Sequence, residues 1–382
     1  MLTILIFVII LGLLVFVHEL GHFIVARRNG IRVDEFGFGF PPRICGVVQD
    51  ESTGKYRVVW GGKDMGEGKT VYSLNWIPLG GFVKIAGEDG HDTSDPTSFA
   101  GKSAWIRVKV LAAGVVMNFL FAWFLFSIVL MLGLPQPIEP SEHGKYPNAK
   151  IQILSIGKGT PAETMGLKMG DALVTLNGKK VTTLEQVSDE IVSHKGQVIT
   201  VLVDRFGKEV TLTGTPRTDY PVSEGALGIS FSETAVVSYP WYEAIYRGAT
   251  TTYSITVAIL DAFGKMIASL FGAEKTALDV TGPVGIVYLT KQMSDLGLPY
   301  LLQFAALLSI NLGIINILPI PALDGGRILF ILIEKLKGSP VSRKVEGMIH
   351  QVGFILLLLL MLFVTVRDFA QFDILGKITR IF

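Results

Sequence analysis

Cysteine is almost absent from this chain: Cys45 is the only one among 382 residues. A single cysteine excludes an internal disulfide framework and every metal site built from a cysteine cluster. Histidine, aspartate and glutamate therefore remain as the candidate metal ligands.

Charge is also scarce. Charged residues make up 18% of the chain and the formal net charge is +1, where soluble chains carry about 25% charged residues. A balance so close to neutral gives no basis for a nucleic-acid surface, and we expect no nucleic-acid partner. The hydrophobic share is 49% before the 42 glycines are counted, which excludes a disordered chain and disfavours a purely soluble one.

Four long stretches contain no Asp, Glu, Lys or Arg: residues 1–17, 110–138, 296–323 and 347–366. The fourth of them contains one histidine, His350. A helix that crosses a bilayer needs about 20 mostly apolar residues, so the sequence predicts four transmembrane helices. The first stretch lacks the basic region and the small-residue cleavage site of a signal peptide. We therefore expect it to be retained as a span.

Basic residues cluster in the two loops that follow the first and third spans: Arg27, Arg28, Lys102, Arg107, Lys109, and Lys335, Lys337, Arg343, Lys344. By the positive-inside rule both loops are cytoplasmic. Both termini and residues 140–295 are then extracytoplasmic. Residues 248–260 form a further uncharged run, and the aromatic residues around it favour helices that lie at the membrane interface. Whether residues 241–271 lie on or in the membrane stays open.

The extracytoplasmic region has a different pattern, with short β-branched runs separated by turn signals. Residues 159–178 read GTPAETMGLKMGDALVTLNG, which resembles the signature of the PDZ domains attached to bacterial proteases. Such domains bind an extended peptide as an added strand. A domain that only excludes large substrates by size is the alternative.

The first span ends in a concentrated polar motif, His18-Glu19-Leu20-Gly21-His22. Residues four apart share a helix face, so His18 and His22 can present two imidazoles to one metal ion with Glu19 beside it. Buried polar groups at a helix end in lipid are costly unless something pairs with them, and a divalent cation would do so. A polar helix end lying among lipid headgroups is the alternative.

A catalytic zinc usually takes three protein ligands, so a third donor is needed elsewhere. The third span contains Asn316 and runs through two prolines to Asp324-Gly325-Gly326. Broken backbone at membrane depth survives only where protein buries it or water reaches it. Metal ligation by Asp324 is the preferred interpretation, and a salt bridge with Arg327 is the alternative.

The HELGH motif and the segment NILPIPALDGG (residues 316–326) together resemble the site-2 protease family of intramembrane zinc metalloproteases, in the bacterial branch of regulators of sigma-E protease (RseP). By that resemblance His18, His22 and Asp324 ligate Zn²⁺, Glu19 is the general base, and Asn316 hydrogen-bonds the substrate backbone. The best-known proteobacterial members of this branch usually carry two PDZ domains in tandem, whereas this chain has room for one.

An apolar loop, residues 73–87, precedes the second span and contains Gly80, Gly81, Phe82 and Val83. We predict that it dips into the bilayer as a β-hairpin and pairs with an unwound substrate. An ordinary cytoplasmic hairpin is the alternative.

The predicted fold is a multi-pass α-helical membrane protein with an inserted PDZ-like α/β domain and a membrane-associated β-hairpin loop. The predicted segments are residues 1–26 (first span), 27–103 (cytoplasmic and membrane-dipping region), 104–135 (second span), 140–233 (PDZ domain), 238–295 (interfacial helices), 298–334 (third span), 347–367 (fourth span) and 368–382 (extracytoplasmic tail).

The resemblance implies an enzyme that cleaves single-span membrane proteins, pre-trimmed by another protease, in the bacterial inner membrane. Anti-sigma factors and remnant signal peptides are examples of such substrates. A non-catalytic membrane scaffold and an ion-coupled transporter are the alternative classes. The sequence does not identify the natural substrate.

Overall fold

The computed structural model describes residues 2–49, 55–62, 69–88, 93–138, 146–205, 207–221, 224–270, 282–339 and 341–371. The chain divides into two compact units, Val129–Trp241 and a larger one formed by Met1–Ile128 together with Tyr242–Phe382. In sequence, the smaller unit is therefore an insertion in the larger one.

The helices, in chain order, are α1 (Leu2–Arg28), α2 (Ala104–Leu132), α3 (Pro161–Met165), α4 (Leu184–Ser193), α5 (Trp241–Leu270), α6 (Pro283–Leu296), α7 (Leu298–Ile317), α8 (Asp324–Lys337) and α9 (Arg343–Gln371). The strands are β1 (Val33–Gln49), β2 (Tyr56–Trp60), β3 (Val71–Ile85), β4 (Leu134–Pro137), β5 (Lys150–Ile156), β6 (Ala172–Leu176), β7 (Lys179–Lys180), β8 (Ile199–Arg205), β9 (Lys208–Gly214) and β10 (Ile229–Val237).

Four of these helices are long and apolar enough to cross a membrane: α1, α2, α7 and residues Lys344–Phe369 of α9. With 20 to 29 residues each and a rise of about 1.5 Å per residue, they can span the hydrocarbon core of a bilayer, about 30 Å thick. Their outward faces are apolar, as lipid requires. The predicted multi-pass helical architecture is confirmed.

The third span is interrupted where the prolines and the glycine pair predict a break. Helix α7 ends at Ile317 and α8 begins at Asp324. A Cβ atom on Gly325 would lie 2.2 Å from the carbonyl oxygen of Ile317, and one on Gly326 would lie 2.3 Å from that of Ile320. The chain therefore folds back so tightly that only glycine fits, and this turn fixes where Asp324 starts the next helix.

Strands β1 and β3 pair in an unusual way, because each contributes two segments to one sheet. Residues 33–38 of β1 lie between two segments of β3, residues 71–74 on one side and residues 81–85 on the other. The second half of β1 pairs with residues 71–74 and with β2. The arms of the predicted hairpin therefore flank β1 and do not pair with each other. Its placement in the membrane stays a prediction.

The smaller unit is a β-sheet with strand order β4-β10-β5-β6-β8-β9, in which β7 pairs with β6. Its core includes the fully buried Ile153, Val187 and Val201. An Asn-Gly turn joins β6 and β7, with positive φ angles of 49° at Asn177 and 77° at Gly178. Strands β4 and β10 were not predicted from the sequence, but the inserted α/β domain was.

Helix α5 packs along other helices of the larger unit. A Cβ atom on Gly248 would lie 2.4 Å from Ser127 Oγ of α2, and Ile255, Ile259 and Phe263 pack against buried residues of α2 and α7. The interfacial location of α5 stays a prediction. Of the predicted tail, residues 372–382 lie outside the described residues.

Helix α6 is held at its start by a buried carboxylate of α9. Asp368 accepts hydrogen bonds from the backbone N–H groups of Gly282, at 3.1 Å, and Gly285, at 2.7 Å. These N–H groups have no partner within the helix, so Asp368 caps α6 from another element.

Candidate metal centre and catalytic cavity

Two histidines one helical turn apart on α1 face the same point. His18 and His22 are both 6% exposed, and their Nε2 atoms lie 3.1 Å apart. The ring planes are nearly perpendicular, at 82°. The spacing of four residues therefore places both imidazoles on one face of the helix, as the sequence predicts.

Asp324 completes the group from the first turn of α8. Its Oδ2 atom lies 3.0 Å from His18 Nε2 and 3.4 Å from His22 Nε2. One ligand atom from each of the three residues can be chosen so that all lie within 4.8 Å of one another. The structure thus joins donors from residues about 300 positions apart in the sequence.

Glycine makes room for the two imidazole rings where α1 meets α2. A Cβ atom on Gly114 would lie 2.5 Å from His22 Nε2 and 2.7 Å from His18 Cε1. One on Gly21 would lie 2.4 Å from the carbonyl oxygen of Ala113. Because real Cβ atoms do not approach so closely, both glycines are needed for this crossing.

Each histidine has a partner on α2 for its second ring nitrogen. His22 Nδ1 lies 2.8 Å from the carbonyl oxygen of Val110. A carbonyl can only accept, so His22 Nδ1 carries a proton, and in the neutral imidazole Nε2 then keeps its lone pair. His18 Nδ1 lies 3.1 Å from the side-chain amide of Asn118.

These residues fit a zinc ion. Two imidazoles and one carboxylate are a common ligand set for catalytic zinc, which keeps one further position for water or substrate. The lone pair of His22 Nε2 points into the group, because the opposite nitrogen is committed to Val110. A carboxylate with two neutral imidazoles carries one negative charge, which a divalent cation would compensate.

Glu19 lies beside this group and lines a cavity of about 250 Å³ together with His22, Asp324, Phe82 and Val83. The predicted general base, two of the predicted metal ligands and the predicted substrate-binding strand therefore line the same cavity. Its volume is below the roughly 300 to 1,000 Å³ of pockets that hold drug-sized ligands.

The strand segment at residues 81–85 is held against the turn of α1 that carries His18 and Glu19. A Cβ atom on Gly80, which has a φ angle of 128°, would lie 2.6 Å from Val15 Cβ. One on Gly81 would lie 2.7 Å from Phe16 Cα and 3.1 Å from Glu19 Cβ. Glycine therefore lets the strand approach the helix at the residue next to His18.

The same segment forms an edge of its sheet. Phe82 pairs with Gly37, and Val83 pairs with Phe36, on one side only. In the part of the chain that the structure describes, no strand pairs with the opposite side of residues 81–85. Backbone groups along that side can accept an added strand.

Arg327, the alternative partner of Asp324 in the sequence analysis, lies in an ion pair with a different carboxylate. Its guanidinium pairs with the carboxylate of Glu88, which follows β3, whereas Asp324 faces the two histidines. The structure therefore places Arg327 in an ion pair that links the sheet to α8. Asp324 stays available to a metal.

Asn316 lies in the last turn of α7, and its Nδ2 atom is 3.4 Å from His18 Nε2. The structure thus places it beside the three candidate ligands. Three nearby groups were not found by sequence reasoning: Asn118, Gly114 and the carbonyl of Val110. A polar amide at position 118 of an otherwise apolar span was a usable signal.

The amino-acid sequence matches the model of peptidase family M50 over residues 6–63 and 62–360. The zinc metalloprotease RasP of Geobacillus kaustophilus is 31% identical, over 96% of this chain and 97% of the relative. The regulator of sigma-W protease RasP of Bacillus subtilis is also 31% identical, over 97% and 98% of the two chains. A putative zinc metalloprotease of Fusobacterium nucleatum is 36% identical, over 96% and 98%.

Among solved structures, the PDZ domain of an SdrC-like protein from Listeria monocytogenes is similar to part of this chain. It is 18% identical, with a TM-score of 0.20, over 22% of this chain and 86% of that domain.

Proposed function

The chain belongs to peptidase family M50, the site-2 proteases, and from this membership we propose how its own residues cleave peptide bonds within a membrane. It is a metalloendopeptidase with Zn²⁺ as its cofactor, and its substrates are membrane proteins in a lipid bilayer. A non-catalytic scaffold and an ion-coupled transporter are not favoured.

We propose that His18, His22 and Asp324 hold the zinc ion. The observation that carries this assignment is the convergence of their ligand atoms within 4.8 Å. When bound, zinc supplies Lewis acidity, which acidifies water and polarises a peptide carbonyl. No cysteine is needed for such a site, in agreement with the composition of the chain.

Glu19 is the general base in this proposal. Its carboxylate accepts a proton from the water that attacks the scissile carbonyl carbon, and then donates it to the nitrogen as the C–N bond breaks. The proton taken from the water thus ends on the leaving nitrogen, which also keeps the electron pair of the broken C–N bond. No covalent enzyme intermediate forms. The position of Glu19 in the same cavity as His22 and Asp324 supports this role.

The substrate must unwind before it reacts, because a transmembrane helix hides its carbonyls in hydrogen bonds to the fourth residue along the chain. We propose that the open edge at residues 81–85 pairs with the unwound segment and replaces the lost hydrogen bonds. Phe82 and Val83 line the cavity with Glu19, which supports the assignment. Asn316 donates a hydrogen bond to the substrate backbone near the scissile bond.

We further propose that the substrates are single-span proteins, such as anti-sigma factors or remnant signal peptides, trimmed beforehand by another protease. The Bacillus subtilis relative is named a regulator of sigma-W protease, which supports a role in regulated intramembrane proteolysis during stress. The proposed location is the bacterial inner membrane, with the PDZ domain and both termini extracytoplasmic.

Co-expression with a panel of single-span reporter proteins tests this function. We expect the wild type to produce a membrane-internal cut and Glu19→Gln to produce none. Glu185→Gln, which changes an exposed carboxylate of α4, is the matched control and should cut normally. A cut of equal yield by Glu19→Gln would remove the general base from the mechanism.

A further inference from the structure

Asn118 is a polar residue in the apolar helix α2, and it is 0% exposed. A buried amide costs free energy unless it is hydrogen-bonded, more so in a transmembrane helix. Its contacts within the described residues therefore indicate what it does. Its side chain meets His18 Nδ1 at 3.1 Å.

The backbone of Asn118 is held from a second helix. Ser309 of α7 donates a hydrogen bond of 2.8 Å to the Asn118 carbonyl oxygen. A Cβ atom on Gly313 would lie 3.4 Å from Asn118 Cβ, so α7 approaches closely on the same side. The side chain of Asn118 is thus presented to His18 from a fixed position.

The amide has two orientations that differ by a half-turn. In one, Nδ2 faces His18 Nδ1, and the buried Oδ1 atom has no hydrogen-bond partner in the described part of the chain. In the other, Oδ1 faces His18 Nδ1 and accepts a hydrogen bond from the Nδ1–H group. Oxygen and nitrogen of an amide are nearly identical in shape, so the chemistry of the neighbour decides between them.

Metal ligation through His18 Nε2 requires the second orientation. A neutral imidazole whose Nε2 lone pair faces a metal carries its proton on Nδ1, and that proton needs an acceptor. His22 already has this arrangement, with the Val110 carbonyl oxygen at 2.8 Å from its Nδ1. For His18 the corresponding acceptor is Asn118 Oδ1.

We propose that Asn118 is a positioning residue whose Oδ1 atom accepts a hydrogen bond from the Nδ1–H group of His18 and so holds the Nε2 lone pair towards Zn²⁺. The inference rests on the proposed function, because it takes His18, His22 and Asp324 as the zinc ligands. Groups that orient metal-bound histidines in this way typically change metal affinity 10- to 100-fold when they are lost.

The test measures the zinc dissociation constant of the full-length protein in detergent, by competition with a chromophoric chelator. The leucine of Asn118→Leu is similar in size to asparagine but neither accepts nor donates hydrogen bonds. The ionised carboxylate of Asn118→Asp can only accept them. We expect Asn118→Leu to bind zinc about 10- to 100-fold more weakly and Asn118→Asp to bind at least as tightly as the wild type. Asn311→Leu is the control, because Asn311 bonds only the carbonyl of Leu307 in its own helix, among the contacts described.

The outcomes separate the two proposals. If the wild type binds no zinc, the proposed function fails. If the wild type binds zinc and Asn118→Leu matches it, or if Asn118→Asp binds as weakly as Asn118→Leu, only the role of Asn118 is overturned. Should a variant fail to fold, ¹⁵N-histidine spectra of the zinc-loaded wild type decide: a protonated His18 Nδ1 is expected, and an unprotonated one refutes the proposal.

Discussion

Gly114 of α2 lies so close to His22 of α1 that a methyl group on it would be 2.5 Å from the Nε2 atom of that ring. The contact puts a backbone without a side chain directly against the Nε2 sides of the two imidazoles. The geometry of the candidate metal centre therefore depends on a residue that carries no chemistry of its own.

Gly114→Ala should displace both imidazoles and weaken zinc binding by at least tenfold, as expected when ligand geometry is disturbed. The measurement is the zinc dissociation constant of the purified protein. Gly264→Ala on α5 is the control, since a Cβ atom there would meet nothing within 4 Å, and a helical Gly→Ala change stabilises by about 1 kcal/mol. Equal zinc affinity of wild type and Gly114→Ala would contradict the close approach of the helices.

Proline in the open edge should stop cleavage while zinc binding persists. The amides of a strand alternate between its two sides, so one of Phe82→Pro and Val83→Pro removes an N–H group that would bond the substrate. We expect that variant to lose most cleavage of a single-span reporter. Tyr56→Pro, in edge strand β2, should cut normally. If both proline variants of residues 82 and 83 cut like the wild type, strand addition is wrong.

The ion pair between Glu88 and Arg327 should couple the sheet to α8. We predict a coupling of about 1 kcal/mol in a double-mutant cycle of Glu88→Gln and Arg327→Met, because partly buried pairs in contact are not additive. Unfolding in detergent supplies the free energies. The exposed pair Asp261 and Lys265 on α5 is the control, with no measurable coupling expected. If the double variant loses only the sum of the two single losses in free energy of unfolding, this ion pair does not link the sheet to α8.

Ala322 precedes Asp324 in a left-handed conformation, with a φ angle of 76°, and its N–H group donates to His350 Nδ1 of α9 at 2.8 Å. His350→Leu removes this acceptor and should cost about 1 to 3 kcal/mol of stability. We also expect zinc affinity to fall, because the turn that presents Asp324 loosens.

Ala322→Gly is the companion variant. A positive φ angle costs an L-residue about 1 to 2 kcal/mol, whereas glycine adopts it without strain. This change should therefore leave zinc affinity unaltered or slightly improved. A loss of affinity in Ala322→Gly equal to that in His350→Leu would mean that the side chain at 322, and not the backbone bond, matters.

Much of this arrangement could be predicted because lipid leaves few alternatives. A long apolar run can only be a helix in a bilayer, and the four-residue spacing of His18 and His22 fixes their shared face. The packing of α2 behind them could not be predicted, because a helix that is apolar all round does not reveal which face meets a neighbour. The pairing of β3 with the first half of β1 on one side and with its second half on the other also escaped prediction. Pro41-Pro42 and Pro78 indicate where these strands bend, but they do not indicate which segments then pair.

The smaller unit, Val129–Trp241, provides the last prediction. Deleting only residues 151–215 would leave β10 without its partner β5, since the two strands are paired from Ile229 to Thr234. Residues 134–237 are the better excision, because both β4 and β10 are then removed. Their flanking residues are adjacent: a Cβ atom on Gly133 would lie 3.4 Å from Ser238 Cβ, and the Tyr239 N–H group donates to the Leu130 carbonyl oxygen at 3.0 Å.

A short Gly/Ser linker can therefore join residues 133 and 238 without strain. If the smaller unit excludes substrates with large external portions, the excised protein should cut an untrimmed single-span reporter that the wild type leaves intact, and both should cut the trimmed form equally. Reporter cleavage in cells measures this, with Glu19→Gln in the excised background to show that the cut is the enzyme's own. If the excised protein cuts the trimmed form but still rejects the untrimmed one, the unit is not the filter, and a peptide-binding role for it gains support.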